Sequence, residues 1–191
     1  MRIVAGELRG KVIDAPAGDD TRPTVDRVRE ALFSSLYSLR GGFEEAVVLD
    51  AFAGSGALGI EALSRGADCA VFFERADKAV TVLKRNLAAC KLGADRAVVL
   101  RRDVLSNPPT AVQGVFDLVF LDPPYAYSPS KALDLLCSMR QAGSLAPEAI
   151  IVYEHALKSA DEVAAAFEAE GFELCSSKKY GKTGVTIAML Q

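Results

Sequence analysis

Between residues 46 and 154 the chain repeats one pattern: a short apolar run closed by an acid, a turn, then a stretch with helical spacing. The five runs are Ala46-Val-Val-Leu-Asp50, Asp68-Cys-Ala-Val-Phe-Phe-Glu74, Arg96 to Arg102 ahead of Asp103, Val115 to Leu121 ahead of Asp122, and Ala149 to Tyr153 ahead of Glu154. Gly54 to Arg65 reads as a glycine turn followed by a helix, and further helical stretches are expected over Asp77 to Lys91, Ser130 to Arg140 and Asp161 to Glu170; in the first of these, Val80, Leu83, Leu87 and Cys90 share one face. Strands without a polar face that alternate with helices imply a parallel sheet covered on both sides. Two further strands, Phe172 to Ser176 and Val185 to Leu190, have only Lys178 to Gly184 between them, too short for a crossover helix, and should pair antiparallel. The expected fold is therefore α/β, a mostly parallel seven-stranded sheet closed by an antiparallel C-terminal hairpin.

The first forty residues break the pattern. Arg2 to Leu8 and Lys11 to Ile13 flank Arg9-Gly10 and predict a small hairpin. After the Pro16 to Arg22 loop, Val25, Val28, Leu32, Leu36 and Leu39 mark a helix face, with Thr24 as its N-cap. The expected division is an N-terminal hairpin-and-helix extension, 1–40, on a body of 41–191.

With 191 residues, half of them hydrophobic, the chain can bury a core without staples. Cys69, Cys90, Cys137 and Cys175 form no C-x-x-C pair and His155 is the sole histidine, so neither a zinc site nor a histidine-dependent hydrolase is expected. No metal is expected. His155 should pack or face solvent, and the cysteines should act as small core hydrophobes in a reducing cytosol. No apolar run approaches the ~20 residues of a membrane span and the first fifteen residues lack a signal-peptide core, so the expectation is a cytoplasmic protein with no membrane partner. The net charge of −3 is uneven: residues 1–40 are net +1, 41–170 net −6 and 171–191 net +2. An acidic body with basic ends allows local nucleic-acid contact without establishing it.

In parallel α/β sheets, ligands bind beyond the carboxyl ends of the strands. The first such turn, Asp50-Ala-Phe52-Ala-Gly54-Ser-Gly56-Ala-Leu-Gly59, holds G-x-G-x-x-G, and Glu74 stands twenty positions after Gly54. The glycines and an acid for ribose hydroxyls suit a dinucleotide or S-adenosylmethionine (SAM), and small residues equally suit a plain tight turn. Asp50 favours SAM, whose methionyl ammonium would welcome a carboxylate that a pyrophosphate would not. Asp103 could accept a hydrogen bond from the adenine amino group. Asp122-Pro123-Pro124-Tyr125 is the most specific element. Two prolines stiffen the turn, and the Asp122 carboxylate and Pro123 carbonyl can each accept one hydrogen of a conjugated amino group. That would turn its lone pair toward a methyl donor while Tyr125 stacks on the base.

These two motifs together resemble class I SAM-dependent amino-group methyltransferases, Rossmann-like in fold. Arg9-Gly-Lys11, Arg22-Pro-Thr-Val-Asp-Arg27-Val-Arg29-Glu30, Phe52 to Gly59, Glu61-Ala-Leu-Ser-Arg65 and Lys178-Lys179-Tyr-Gly-Lys182 resemble, over essentially the whole chain, the RsmD family of bacterial 16S rRNA (guanine-N2)-methyltransferases. The resemblance implies transfer of a methyl group from SAM to the exocyclic N2 of a guanine in 16S ribosomal RNA, within a small-subunit particle, by a monomer, with S-adenosyl-L-homocysteine as product. It implies that Asp50, Phe52, Gly54 and Gly56 surround the methionyl part, that Glu74 holds the ribose with Arg75 beside it, and that Asp103 and Val104 meet the adenine. It implies catalysis by Asp122, Pro123, Pro124 and Tyr125. Arg9, Lys11, Arg22, Arg27, Arg29, Lys178, Lys179 and Lys182 are the candidate RNA contacts. A DNA, other RNA or protein amino-methyltransferase with the same D-P-P-Y chemistry, an NAD(P)-dependent oxidoreductase and an inactive RNA-binding scaffold are the other readings.

Overall fold

The computed structural model describes residues 1–15, 23–124 and 126–191. Arg22 and Tyr125, both named above, lie outside the described residues. The chain divides into two compact units, Met1–Arg102 and Asp103–Gln191.

The first unit contains α1 (Pro23–Arg40), β1 (Val47–Asp50), α2 (Ala57–Ser64), β2 (Cys69–Phe73), α3 (Asp77–Ala89) and β3 (Ala97–Leu100). Its strands run β3-β2-β1, all parallel, with Asp50 level with Phe72 and Phe73 level with Leu100. Val48, Leu49, Ala70 and Phe72 are fully buried, as strands covered on both faces require. Helix α3 turns Val80, Leu83 and Leu87 into the core, the spacing read from the sequence. Before α1 the expected hairpin shrinks to one antiparallel bridge, Arg2 to Val12, closed by Ile3 N–H to the Lys11 carbonyl (2.9 Å) and Gly10 N–H to the Ile3 carbonyl (2.9 Å). Helix α1 begins at Pro23, which places Thr24 inside the helix rather than at its cap; proline suits a first helical position because its missing N–H would find no helical partner there. Leu32, Phe33 and Leu36 are buried, whereas Leu39, expected on the apolar face, is half exposed in the last turn.

The second unit contains β4 (Phe116–Leu121), α4 (Pro129–Gln141), β5 (Leu145–Ala156), α5 (Ala160–Ala169), β6 (Phe172–Tyr180) and β7 (Thr183–Leu190), in strand order β4-β5-β7-β6. β4 and β5 are parallel, and β7 runs antiparallel to both β5 and β6. Together the units supply the seven expected strands, parallel in the first unit and, in the second, a parallel pair followed by antiparallel C-terminal strands. β5 is longer than its apolar run suggested, reaching back through Pro147 and Glu148 to Leu145. The ladder with β4 slips there, and Glu148 takes φ 61°, so a residue without an N–H and a left-handed residue sit in an irregular part of the strand. The C-terminal hairpin is tighter than expected: only Gly181-Lys182 joins β6 to β7, with Gly181 at φ 64°, and Lys178 and Lys179 belong to β6 itself.

His155 is buried, with Nε2 3.0 Å from Thr186 Oγ1 and Nδ1 3.0 Å from the Ala156 carbonyl. All four cysteines are free thiols, and only Cys90 is fully buried. Among the described residues no helix is long and apolar enough to cross a membrane.

Candidate active site

In the first unit, β1 delivers Asp50 to the start of the glycine turn. The side chain is 2% exposed, and its Oδ2 accepts the Gly59 N–H at 3.0 Å, tying the strand end to the first turn of α2. Burial pushes this carboxyl up to about 7 from 3.8; the Gly59 hydrogen bond opposes the rise and the nearby Glu74 carboxylate adds to it. Gly54 (φ 53°) and Gly56 (φ 81°) take left-handed conformations for different ends. A Cβ on Gly56 would collide with Leu83 Cδ1, and one on Gly59 with the Phe72 ring, so Gly56 admits the close approach of α3 and Gly59 that of α2 to β2. A Cβ on Gly54 would meet no protein atom within 4 Å. The Gly54 N–H donates to Glu74 Oε2 at 2.9 Å, and Glu74 Oε1 accepts the Ala76 N–H at 2.7 Å, so Glu74, just past β2, braces the turn. Phe52 and Glu74 are half-buried; Arg75 is exposed.

This turn is bound into the N-terminal segment by Asn86, which no motif selected, and by Glu61, quoted above only as part of Glu61-Ala-Leu-Ser-Arg65. Asn86 on α3 is 2% exposed: Nδ2 donates to the carbonyls of Ser55 and Asp14, each at 2.9 Å, and Oδ1 accepts the Asp14 N–H at 2.8 Å. Glu61 on α2 is fully buried and accepts the N–H groups of Val4 (2.8 Å) and Ala5 (3.1 Å) and the Arg65 guanidinium (2.8 Å). A lone Asn at an apolar position of α3 and a carboxylate inside the apolar run of α2 were the available signals.

The candidate RNA contacts differ in environment. Arg9, Lys11, Arg27, Lys178, Lys179 and Lys182 are exposed. Arg29 is not: it is 3% exposed, with Nη2 2.8 Å from Asp26 Oδ1 and also bonded to the Arg2 carbonyl, and with Nε 3.5 Å from Glu61 Oε2, an electrostatic contact without hydrogen-bond geometry. Its charge balances a buried carboxylate, so Arg29 holds the N-terminal segment rather than presenting a surface to RNA.

In the second unit, Asp103 lies three residues beyond the end of β3, not at the strand end. Its Oδ1 accepts the Leu105 N–H at 3.0 Å and its carbonyl the Asn107 N–H at 3.0 Å, forming a tight turn around the buried Val104. A cavity of about 320 Å³ opens beside it, lined by Asp103, Leu105, Ser106, Tyr127 and Lys131. Asp122 follows β4 directly and is exposed, Pro123 is buried and Pro124 exposed, and the Tyr127 N–H closes the turn onto the Pro124 carbonyl at 2.9 Å. Glu154, expected to terminate β5, lies inside the strand, paired with Val185.

The family model described as conserved hypothetical protein 95 matches residues 1–189. Ribosomal RNA small subunit methyltransferase D of Haemophilus influenzae is 39% identical over 158 residues, 81% of this chain and 78% of its own. Its namesake in Escherichia coli K12 is 41% identical over 157 residues, 81% of this chain and 74% of its own. The chain belongs to the conserved hypothetical protein 95 family, the RsmD family. A solved Escherichia coli protein, yhhF, provisionally named a methyltransferase, superposes with a TM-score of 0.80 at 33% identity, covering all of this chain and 98% of its own. The magnesium protoporphyrin IX methyltransferase of Synechocystis, crystallised with bound SAM, shares the fold at a TM-score of 0.67 and 16% identity, over 91% of this chain and 87% of its own. This RsmD-family chain thus shares its fold with a methyltransferase structure that holds SAM.

Proposed function

We propose that this chain transfers the methyl group of SAM to the N2 amino group of a guanine in 16S ribosomal RNA, acting as a monomer on a small-subunit particle in the cytoplasm. Residues 41–191 form the methyltransferase domain and 1–40 an extension that contributes to RNA contact. The observation that carries the reading is the D-P-P turn at the end of β4, with its exposed carboxylate, in a chain whose relatives are named rRNA methyltransferases.

The donor set fits SAM. Asp50 and Glu74 bring two carboxylates to the glycine turn, which suits a cationic ligand carrying a ribose diol and would repel a pyrophosphate. The open face at Gly54 leaves backbone accessible to the methionyl part. Asp50 meets the ammonium group, Glu74 the ribose hydroxyls with Arg75 alongside, and Asp103 and Val104 the adenine, for which the cavity beside Asp103 gives room. When bound, SAM supplies an electrophilic methyl group on a sulfonium.

The remaining chemistry falls to the chain. The Asp122 carboxylate and Pro123 carbonyl each accept one N–H of the guanine amino group, drawing the nitrogen out of conjugation and aiming its lone pair. The N–C bond forms as the S–C bond breaks, and a proton leaves the alkylated nitrogen toward Asp122, with S-adenosyl-L-homocysteine as the other product. Tyr125 stacks on the base. Positioning and electrostatics carry the rate. Arg9, Lys11, Arg22, Arg27, Lys178, Lys179 and Lys182 neutralise phosphates, and the guanine must be unstacked or presented in a loop.

Asp122→Ala tests the assignment. SAM affinity should stay within about twofold while transfer falls on the order of 1,000-fold, the scale of losing a group that acts at the reacting atoms. Transfer near the wild-type rate would remove Asp122 from the mechanism. Tyr125→Ala should weaken transfer more than SAM binding.

A further inference from the structure

The D-P-P turn accounts for an amino group but not for guanine over adenine, since both bases carry one. The strand register supplies a second carboxylate at the same level. β4 and β5 are parallel neighbours with Leu121 directly opposite Tyr153. The next residue on each chain is Asp122 and Glu154. Neighbouring strands lie about 4.8 Å apart, so the two acids leave adjacent backbone positions. Tyr153 and His155 are both buried, with their rings 5.4 Å apart, while Glu154 between them is half-buried, which places it on the opposite face. Glu154 borders a small cleft of about 10 Å³ together with Pro123, Pro124 and Tyr127, the residues that follow Asp122. The hydrogen bonds of His155 to Thr186 and to the Ala156 carbonyl hold this end of β5 in place.

We infer that Glu154 is the base-selecting residue, accepting the N1–H of the guanine whose adjacent amino group Asp122 receives. The inference rests on the guanine-N2 reading above and deepens it. Guanine places an N1–H donor beside its C2 amino group, so two neighbouring carboxylates match two neighbouring donor groups. Adenine places a bare N1 lone pair beside its amino group, and that lone pair would face the Glu154 carboxylate without a proton between them. A polar group left so opposed is the kind of mismatch that yields large discrimination.

The test uses an acceptor RNA carrying either guanine or 2-aminopurine at the mapped target position. 2-Aminopurine keeps the amino group at C2 and replaces the N1–H with a lone pair. Wild-type enzyme should methylate the guanine RNA at least about 100-fold better in kcat/KM, a comparison that needs no variant. Glu154→Gln places an amide N–H where a carboxylate stood and can donate to the 2-aminopurine N1. It should shrink the ratio to within about tenfold while leaving the SAM Kd unchanged within about twofold. A purely structural role for Glu154 would lower both rates together and leave the ratio intact, and that result overturns the inference. Equal methylation of the two RNAs by the wild type overturns it as well. Label from the guanine RNA in a product other than N2-methylguanosine overturns the guanine-N2 reading itself and this inference with it.

Discussion

Asp50 is kept at a cost in stability that a cationic ligand would offset. Its carboxyl is raised from 3.8 to about 7, mainly by burial, with a push from Glu74 against the help of the Gly59 N–H. Between those two values the unfolded chain has released the proton and the folded chain still holds it, so stability falls as pH rises through that window and the full cost is present above pH 7. At 1.36 kcal/mol per unit, the cost grows from about 2 kcal/mol at pH 5 to about 4 kcal/mol at pH 8. Asp50→Asn removes the charge and retains a carbonyl oxygen to accept from Gly59. Urea unfolding of the ligand-free variant should therefore show higher stability than wild type, by an amount that grows from pH 5 to pH 8. SAM should bind the wild type roughly 15-fold more tightly at pH 7 than at pH 5.5, because the ionised carboxylate is the form that meets the ammonium, and the variant should lose both the affinity and its pH dependence. A variant no more stable than wild type at pH 8, or a difference that does not change with pH, would refute the reasoning.

Two glycines separate packing from ligand contact. Gly56→Ala should cost more than about 2 kcal/mol in denaturant unfolding through its collision with Leu83, whereas Gly54→Ala, strained at φ 53° but sterically open, should cost about 1 kcal/mol and lose SAM affinity in titration calorimetry. Asn86→Ala leaves the Asp14 N–H and the Asp14 and Ser55 carbonyls without their partner. It should destabilise by about 2–4 kcal/mol and raise hydrogen exchange at residues 13–15, and unchanged exchange there would deny Asn86 its role in holding the N-terminal segment.

The parallel sheet was legible because its strands are apolar on both faces and end near acids, and the glycine turn because its positive φ values admit few other residues. What escaped the sequence depended on partners distant along the chain. The five-residue apolar run of β5 hid a strand of 12 residues, because Pro147 is a turn signal and Leu145 rejoins the β4 ladder, opposite Phe116, only across a slip at the left-handed Glu148. Arg29 read as a surface cation because Glu61, the buried carboxylate it faces in addition to nearby Asp26, lies 32 positions away and is itself sealed in α2. Asn86 carried no motif; its importance comes from bridging Asp14 and Ser55, which only the folded chain brings together. Glu154 was visible as an acid near a strand end, and its pairing level with Asp122 became apparent from the β4–β5 register.

The central claim is tested most directly by methyl transfer from radiolabelled SAM to small ribosomal subunits, partly assembled particles and naked 16S RNA from a strain lacking the enzyme, followed by nucleoside analysis. The account predicts label in N2-methylguanosine, with transfer lost in the Asp122→Ala enzyme. Label in N6-methyladenosine, or SAM binding with no label in any of these RNAs, would contradict it.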